Sequence, residues 1–252
     1  RVPGLRREEL AQLAGVSAGY YTRLEQGRSP NASDAVLTAI ARVLRLDGEE
    51  RDHLFALARP MIVANKNPAQ PERLRPQALS MLSALGDVPA LIVGRSADIL
   101  AWNPMAHALL AGHLDFDAPD DPSRRPNSAR LVFLDEHTRE LYADWWDKAR
   151  DTVADLRRTA ALYPDDRHLA ELVGELTMNS EEFAALWSAH LVRPCGFYTR
   201  RMRHPLVGSF TLSNETLNLP GDDGQRLALF HAAPGSPDES ALKLLADLVA
   251  DT

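Results

Sequence analysis

Gly19, Tyr20, Thr22, Arg23 and Gln26 recur on one side of a short stretch near the chain start. Apart from the gap at Gly19, each carries a hydrogen-bonding group. A guanidinium such as that of Arg23 can grip guanine with two prongs, and hydroxyls and amides reach base edges or phosphates. A second group, Arg200, Arg201, Arg203 and His204, precedes Pro205. On a strand, Arg201 and Arg203 share one face, and Arg200, Met202 and His204 the other. One face should point to the interior, where Arg is rarely placed without an acid or an anionic ligand. One of these cations can therefore hold a ligand carboxylate at a pocket mouth; the competing reading is an exposed edge with ordinary ion pairs. Catalytic patterns are missing. The eight His are scattered, and no H-x-x-x-H, C-x-x-C, G-x-S-x-G, P-loop or G-x-G-x-x-G occurs. Asp120-Asp121 and Asp165-Asp166 read as turns and helix caps. No catalytic residue, metal site or cofactor is assigned, and an enzyme is the weaker class.

Two short helices must position the first group. In Leu5 to Gly27, Glu8 and Glu9 sit in a first turn, where the helix dipole favours acids. Gly15 follows the last periodic residue and can leave the helix with positive φ. Ser17 is a good N-cap for a second helix beginning at Ala18. Leu10, Ala14, Val16, Tyr21 and Leu24 are spaced to bury one seam. The polar side left outside is that of a helix-turn-helix offered to a DNA major groove.

The pattern LAxLAGVSxxYYxRLEQGRxxxxS closely resembles the Xre-type helix-turn-helix of bacterial repressors, from about Val2 to Arg59. The resemblance implies a lambda-repressor-like all-α domain with double-stranded DNA as partner. It implies groove contacts from Ser17, Tyr20, Thr22 and Arg23, with Arg7 and Arg28 nearer the phosphates. It also implies a helix ahead of the hairpin. The chain begins at Arg1, so that helix is expected to be missing.

Composition is compatible with this. The net charge is −7, but residues 1 to 62 hold nine Arg against eight acids, so the acidity belongs to the remainder. No apolar run approaches the ~20 residues of a membrane span. The one cysteine, Cys195, has no internal disulfide partner and fits a reducing compartment.

Ser33 can cap a helix from Asp34 to Arg45, and Asp47 with Glu50 forms a capping box for another ending near Arg59. Pro60, Pro68 and Pro71 mark a linker. The expected division is a DNA-binding domain at 1–60, a linker at 61–75 and a second domain at 76–252. In the second domain, Pro89 to Asn103 reads as a hairpin around Gly94-Arg95-Ser96. Asn103-Pro104 opens a helix. Asp135 to Tyr163 reads as one long helix with an apolar stripe through Tyr142, Trp145 and Trp146. Asn179 and Glu182 cap a later helix. After Pro194 the period changes to two, giving strands at Gly196 to His204, Leu206 to Asn214, Thr216 to Leu219 and Arg226 to Ala232. A final helix runs from about Ser236 to Ala250. This order predicts an α+β fold, with one antiparallel sheet and helices packed on it.

A PAS domain has this order. PALIVGRSADILAWN, LYADWW and RMRHPLVGSFTL also resemble the PAS-like ligand-binding domain of MmyB-like regulators, from about Leu74 onward. That resemblance implies a small hydrophobic ligand such as a fatty acid. Trp102, Asn103, Tyr142 and Arg203 are the expected pocket residues, and Asn103 fits a helix N-cap equally well. Phe197 and Phe210 are among the aromatic residues that can supply pocket walls. The expectation is a cytoplasmic, dimeric, sequence-specific transcription regulator with a ligand-sensing C-terminal domain. The alternative is a C-terminal module that binds a protein partner and no ligand.

Overall fold

In a computed structural model of the chain, the described residues are 5–27, 32–58, 72–189, 197–220 and 224–250. They divide into two compact units, one centred on the N-terminal helices and one on a sheet.

The N-terminal unit begins with α1 (Arg7–Leu13) and α2 (Ala18–Glu25). The Arg6 N–H donates to the Glu9 carboxylate at 2.8 Å, which explains the acid in the first turn. Gly15 has φ +73°; its N–H donates to Gln12, and the Val16 N–H reaches back to Ala11 at 2.9 Å. This Schellman closure satisfies carbonyls the helix end would strand. Leu10, Ala11, Ala14 and Tyr21 are buried with Ile40 of α3 (Asp34–Leu44), and Val16 and Leu24 pack against them. Ser33 caps α3 by accepting the Val36 N–H. Asp47 and Glu50 exchange both capping-box bonds ahead of α4 (Gly48–Ala58). Leu44 is exposed, because the stripe that faces α1 is centred on Leu37, Ile40 and Ala41.

The second unit opens with α5 (Pro76–Ala84), β1 (Ala90–Val93), β2 (Ile99–Trp102) and α6 (Pro104–Ala111). Helices α7 (Ser128–Leu134), α8 (Glu136–Leu141), α9 (Trp145–Leu162, of which residues 145–156 belong to this unit), α10 (Arg167–Asn179) and α11 (Glu181–Ser188) follow. Then come β3 (Phe197–His204), β4 (Gly208–Asn218), β5 (Arg226–His231) and α12 (Pro237–Ala250). The five strands form one antiparallel sheet in the order β2-β1-β5-β4-β3. Every residue of β1 and β2 is buried, so both sheet faces are covered there and the strands read as unbroken apolar runs. On one face, Ala78 and Leu82 of α5 pack on Ala90, Ile92, Leu100 and Leu227. The other face carries Met202, Phe210 and Leu212, paired across β3 and β4 and all but fully buried.

Three expectations are corrected. The helix expected from Asp135 to Tyr163 is two helices. The chain leaves α8 at Tyr142, which bridges to Met202 on β3, while the Ala143 N–H donates to the Arg201 carbonyl at 3.0 Å. Strand pairing thus competes with the helix and wins for three residues. Ser180, not Asn179, caps α11, accepting the Phe183 N–H at 3.1 Å. The two strands expected within 206–219 are the single strand β4. Helix α7 is capped by Asn127, whose side-chain oxygen accepts the Ala129 and Arg130 N–H groups.

Glu72, at the end of the expected linker, is held by the second unit. Its carboxylate accepts the Arg95 N–H at 3.1 Å and fills the space beside Gly94, where a Cβ would lie 1.9 Å from it. A side chain at position 94 would expel that carboxylate.

Candidate functional site

On α2 the Ser17 hydroxyl accepts the Tyr20 N–H at 3.1 Å, and its own proton remains available. Ser17, Gly19, Arg23 and Gln26 are exposed; Tyr20 and Thr22 are half-buried. The Thr22 hydroxyl donates to the Ala18 carbonyl at 2.9 Å, so it faces outward chiefly as an acceptor. Arg23 makes no ion pair among the described residues. Arg7 lies 2.6 Å from Glu25, an exposed pair that links α1 to α2. Such a pair contributes little stability and exchanges readily for a phosphate. Tyr21 lies underneath; burial, then Glu25 beside it, pushes its phenol above the ordinary value. Arg28 lies outside the described residues, as do Cys195 and the Phe197 side chain.

The four pocket expectations in the second unit fall in different surroundings. Trp102 is buried, with its indole N–H donating to the Phe116 carbonyl at 2.8 Å and its ring 5.1 Å from that of His107. Asn103 is buried and fully engaged. Its oxygen accepts the Ala106 N–H of α6 (2.9 Å) and the Ala90 N–H of β1 (3.0 Å), and its amide donates to Gly86 and Val88. It fastens strand to helix, the cap half of its two readings. Arg203 requires a correction. It is exposed, sharing its strand face with Arg201, while Arg200, Met202 and His204 point inward. The register that places Met202 against Tyr142 and Phe210 sends Arg203 to the other side.

Tyr142 is buried where α8 ends, and desolvation pushes its phenol up to about 12, so it is a neutral donor. Beside it lies a charged cluster that the chemistry-bearing motifs did not reveal. Lys148, Asp151 and Asp155 are spaced three and four apart on α9 and share one helix face. The Arg200 guanidinium pairs with the Asp151 carboxylate, with side chains only 13% and 9% exposed. Arg226 at the start of β5 pairs with Asp155 at 2.5 Å. The Lys148 ammonium lies 5.5 Å from the Tyr142 ring centroid. Burial, and then the charge of Arg200, pull this amine down to about 8. The legible signal was the run of charges at helical spacing between Trp145 and Leu156, which reads as a solvated face until the sheet covers it.

His204 is buried, and burial holds its imidazole below the ordinary value. Its Nε2 lies 2.9 Å from the Ala108 carbonyl and its Nδ1 accepts the Leu206 N–H, so the neutral ring is a structural tie. Among the described residues, no three His, Cys, Asp or Glu gather to hold a metal.

The Lys148 shift predicts a pH dependence of stability. Unfolded, this amine titrates near 10.5; folded, near 8. Between these values the unfolded chain binds the extra proton, so stability rises with pH. The gain is complete above about 10.5 and lost as pH falls through about 8. Urea unfolding at pH 7.5, 8.5 and 9.5 checks this: the midpoint should climb relative to a Lys148→Met variant.

Among the described residues, no helix is long and apolar enough to cross a membrane. No curated protein matches the chain. Residues 2–54 match a helix-turn-helix domain family. Residues 74–245, well over half of the chain, match the MmyB-like transcription regulator ligand binding domain. With the exposed polar face of α2 in one unit and the helix-covered sheet in the other, the protein belongs to the MmyB-like transcription regulators, DNA-binding proteins that carry a ligand-binding domain.

Proposed function

We propose that the protein is a cytoplasmic homodimer that reads a specific two-fold DNA site through α2. Ser17, Tyr20, Thr22 and Arg23 meet the major groove, and Arg7 and Arg28 the flanking phosphates. The C-terminal domain senses a small hydrophobic, fatty-acid-like ligand near Tyr142. Ligand binding biases the arrangement of the two DNA-reading heads through its differential affinity for their states. No reaction is assigned to it.

The observation that carries the DNA half is Arg23. It is exposed on a capped, well-packed helix with no acid claiming it, the state expected of a side chain kept for guanine O6 and N7. Selecting binding sites from a random duplex pool with the wild-type protein supplies the operator. Arg23→Ala should then weaken specific binding by roughly 1–3 kcal/mol, about 5- to 150-fold, and relax preference at one base pair. Arg7→Ala should weaken all sequences alike and reduce the salt slope. Unchanged affinity and selectivity in Arg23→Ala would remove α2 from the groove.

A further inference from the structure

The fold itself does not ask for glycine at position 19. Gly19 is the second residue of α2, and it is exposed. It is not among the residues with positive φ, so any residue could adopt its backbone conformation. Glycine is a poorer helix former than every residue but proline. Apart from the chain neighbours and the helix backbone, an added Cβ there would meet one atom within 4 Å, Nη1 of Arg23 at 3.9 Å. That is ordinary van der Waals contact, so alanine would fit and would strengthen the helix. The same contact shows where Arg23 lies. Residues four apart are neighbours on a helix, and long side chains lean towards its N-terminus. The Arg23 guanidinium lies back over the first turn, beside the bare Cα of Gly19. Both residues are exposed, and Arg23 makes no ion pair among the described residues. The Ser17 cap holds this turn by accepting the Tyr20 N–H at 3.1 Å. The guanidinium therefore sits at the fixed end of α2, next to a gap that no side chain fills.

We propose that Gly19 is a positioning residue that sets base specificity: it seats the Arg23 guanidinium so that it settles into the plane of a guanine while α2 lies close against the base edges. The inference rests on the reading that α2 enters the major groove. A planar fork grips guanine O6 and N7 together only when it lies in the plane of the base. In the free protein a methyl group at position 19 just touches Nη1. In the groove the guanidinium is held between bases and helix, and that methyl takes the slack it needs. Glycine here gives up helix stability for close approach of the duplex to the backbone.

The test uses the full chain, the operator selected from the random pool, and a random duplex of equal length in the same salt. Gly19→Ala should weaken operator binding by roughly fivefold or more and leave the random duplex within about twofold. Its α2 amides should meanwhile exchange more slowly with solvent, so that affinity falls while the helix gains stability. Gly174→Ala is the control: Gly174 of α10 is also helical and exposed, with nothing within 4 Å of an added Cβ. It should bind both duplexes as the wild type does. In an Arg23→Ala background, Gly19→Ala should cost the operator no more than about twofold. A smaller operator loss for Gly19→Ala alone, or an equal loss on the random duplex, would overturn the role of Gly19 and leave α2 in the groove, which Arg23→Ala reports separately. A loss of full size in the Arg23→Ala background would overturn the seat for the guanidinium. Arg23→Ala binding the operator as the wild type does would overturn the groove reading itself, and the seat with it.

Discussion

Asn103→Ala is expected to cost the second unit about 3–4 kcal/mol of stability, although Asn103 is one polar residue among many. The Asn103 oxygen serves two N–H groups and its amide two carbonyls. Loss of the helix cap alone costs roughly 0.5–2 kcal/mol. The Ala90 N–H, on a strand with no exposed residue, would then be buried without an acceptor, at roughly 1–3 kcal/mol more. The Gly86 and Val88 carbonyls lose their donor at the same moment. Asn103→Asp tests the division: it keeps both acceptor functions but turns an oxygen towards two carbonyls. It should recover the cap and still unfold well below the wild type. A urea midpoint for Asn103→Ala within about 1 kcal/mol of wild type would mean that water enters and replaces the side chain. Because Asn103 joins β1, α6 and the turn before β1, loosening it should also open amides of β1 to exchange before those of β4.

Phe183→Ala is the second large effect, at roughly 3–5 kcal/mol. Phe183 has no exposed surface, meets the Phe133 ring edge-on at 5.0 Å and stacks on Trp187 at 5.6 Å. Phe133 in turn meets Trp145, whose indole donates to the Val132 carbonyl. Removing the ring leaves a hole between α7 and α11, whose first turns are held by the Asn127 and Ser180 caps and cannot readily close over it. For a domain of this size a loss of about 4 kcal/mol lowers the melting temperature by roughly 8–16 °C. Trp146, half exposed despite its place in the same aromatic run, should tolerate Ala with a change of about 2–4 °C at most. A melting shift for Phe183→Ala no larger than that for Trp146→Ala would place the core elsewhere.

The DNA-reading hairpin was legible because its signals are local. Acids in the first turn of α1, a glycine with positive φ, a serine cap and an apolar seam act over a few residues, and each appears where expected. The order of strands and helices in the second unit was legible for the same reason, and it fixes a single antiparallel sheet. The candidate ligand site was only partly legible. Tyr142 was found as an aromatic in an apolar stripe, but its meaning comes from the break that pairs it with Met202. The charges of α9 carry no local mark that the sheet covers them.

Residue periodicity, caps and turns thus determined which segments are helices and strands, and which side of α2 is polar. They could not decide which face of β3 turns inward, because alternate residues on a strand are interchangeable until its partner fixes the register. Pairing with β4 and the bridge to Tyr142 made that choice, putting Arg200 inside with Asp151 and leaving Arg203 in water. The same packing took Lys148 from a hydrated helix surface to a place where burial pulls its amine down to about 8, since solvation depends on neighbours distant in sequence.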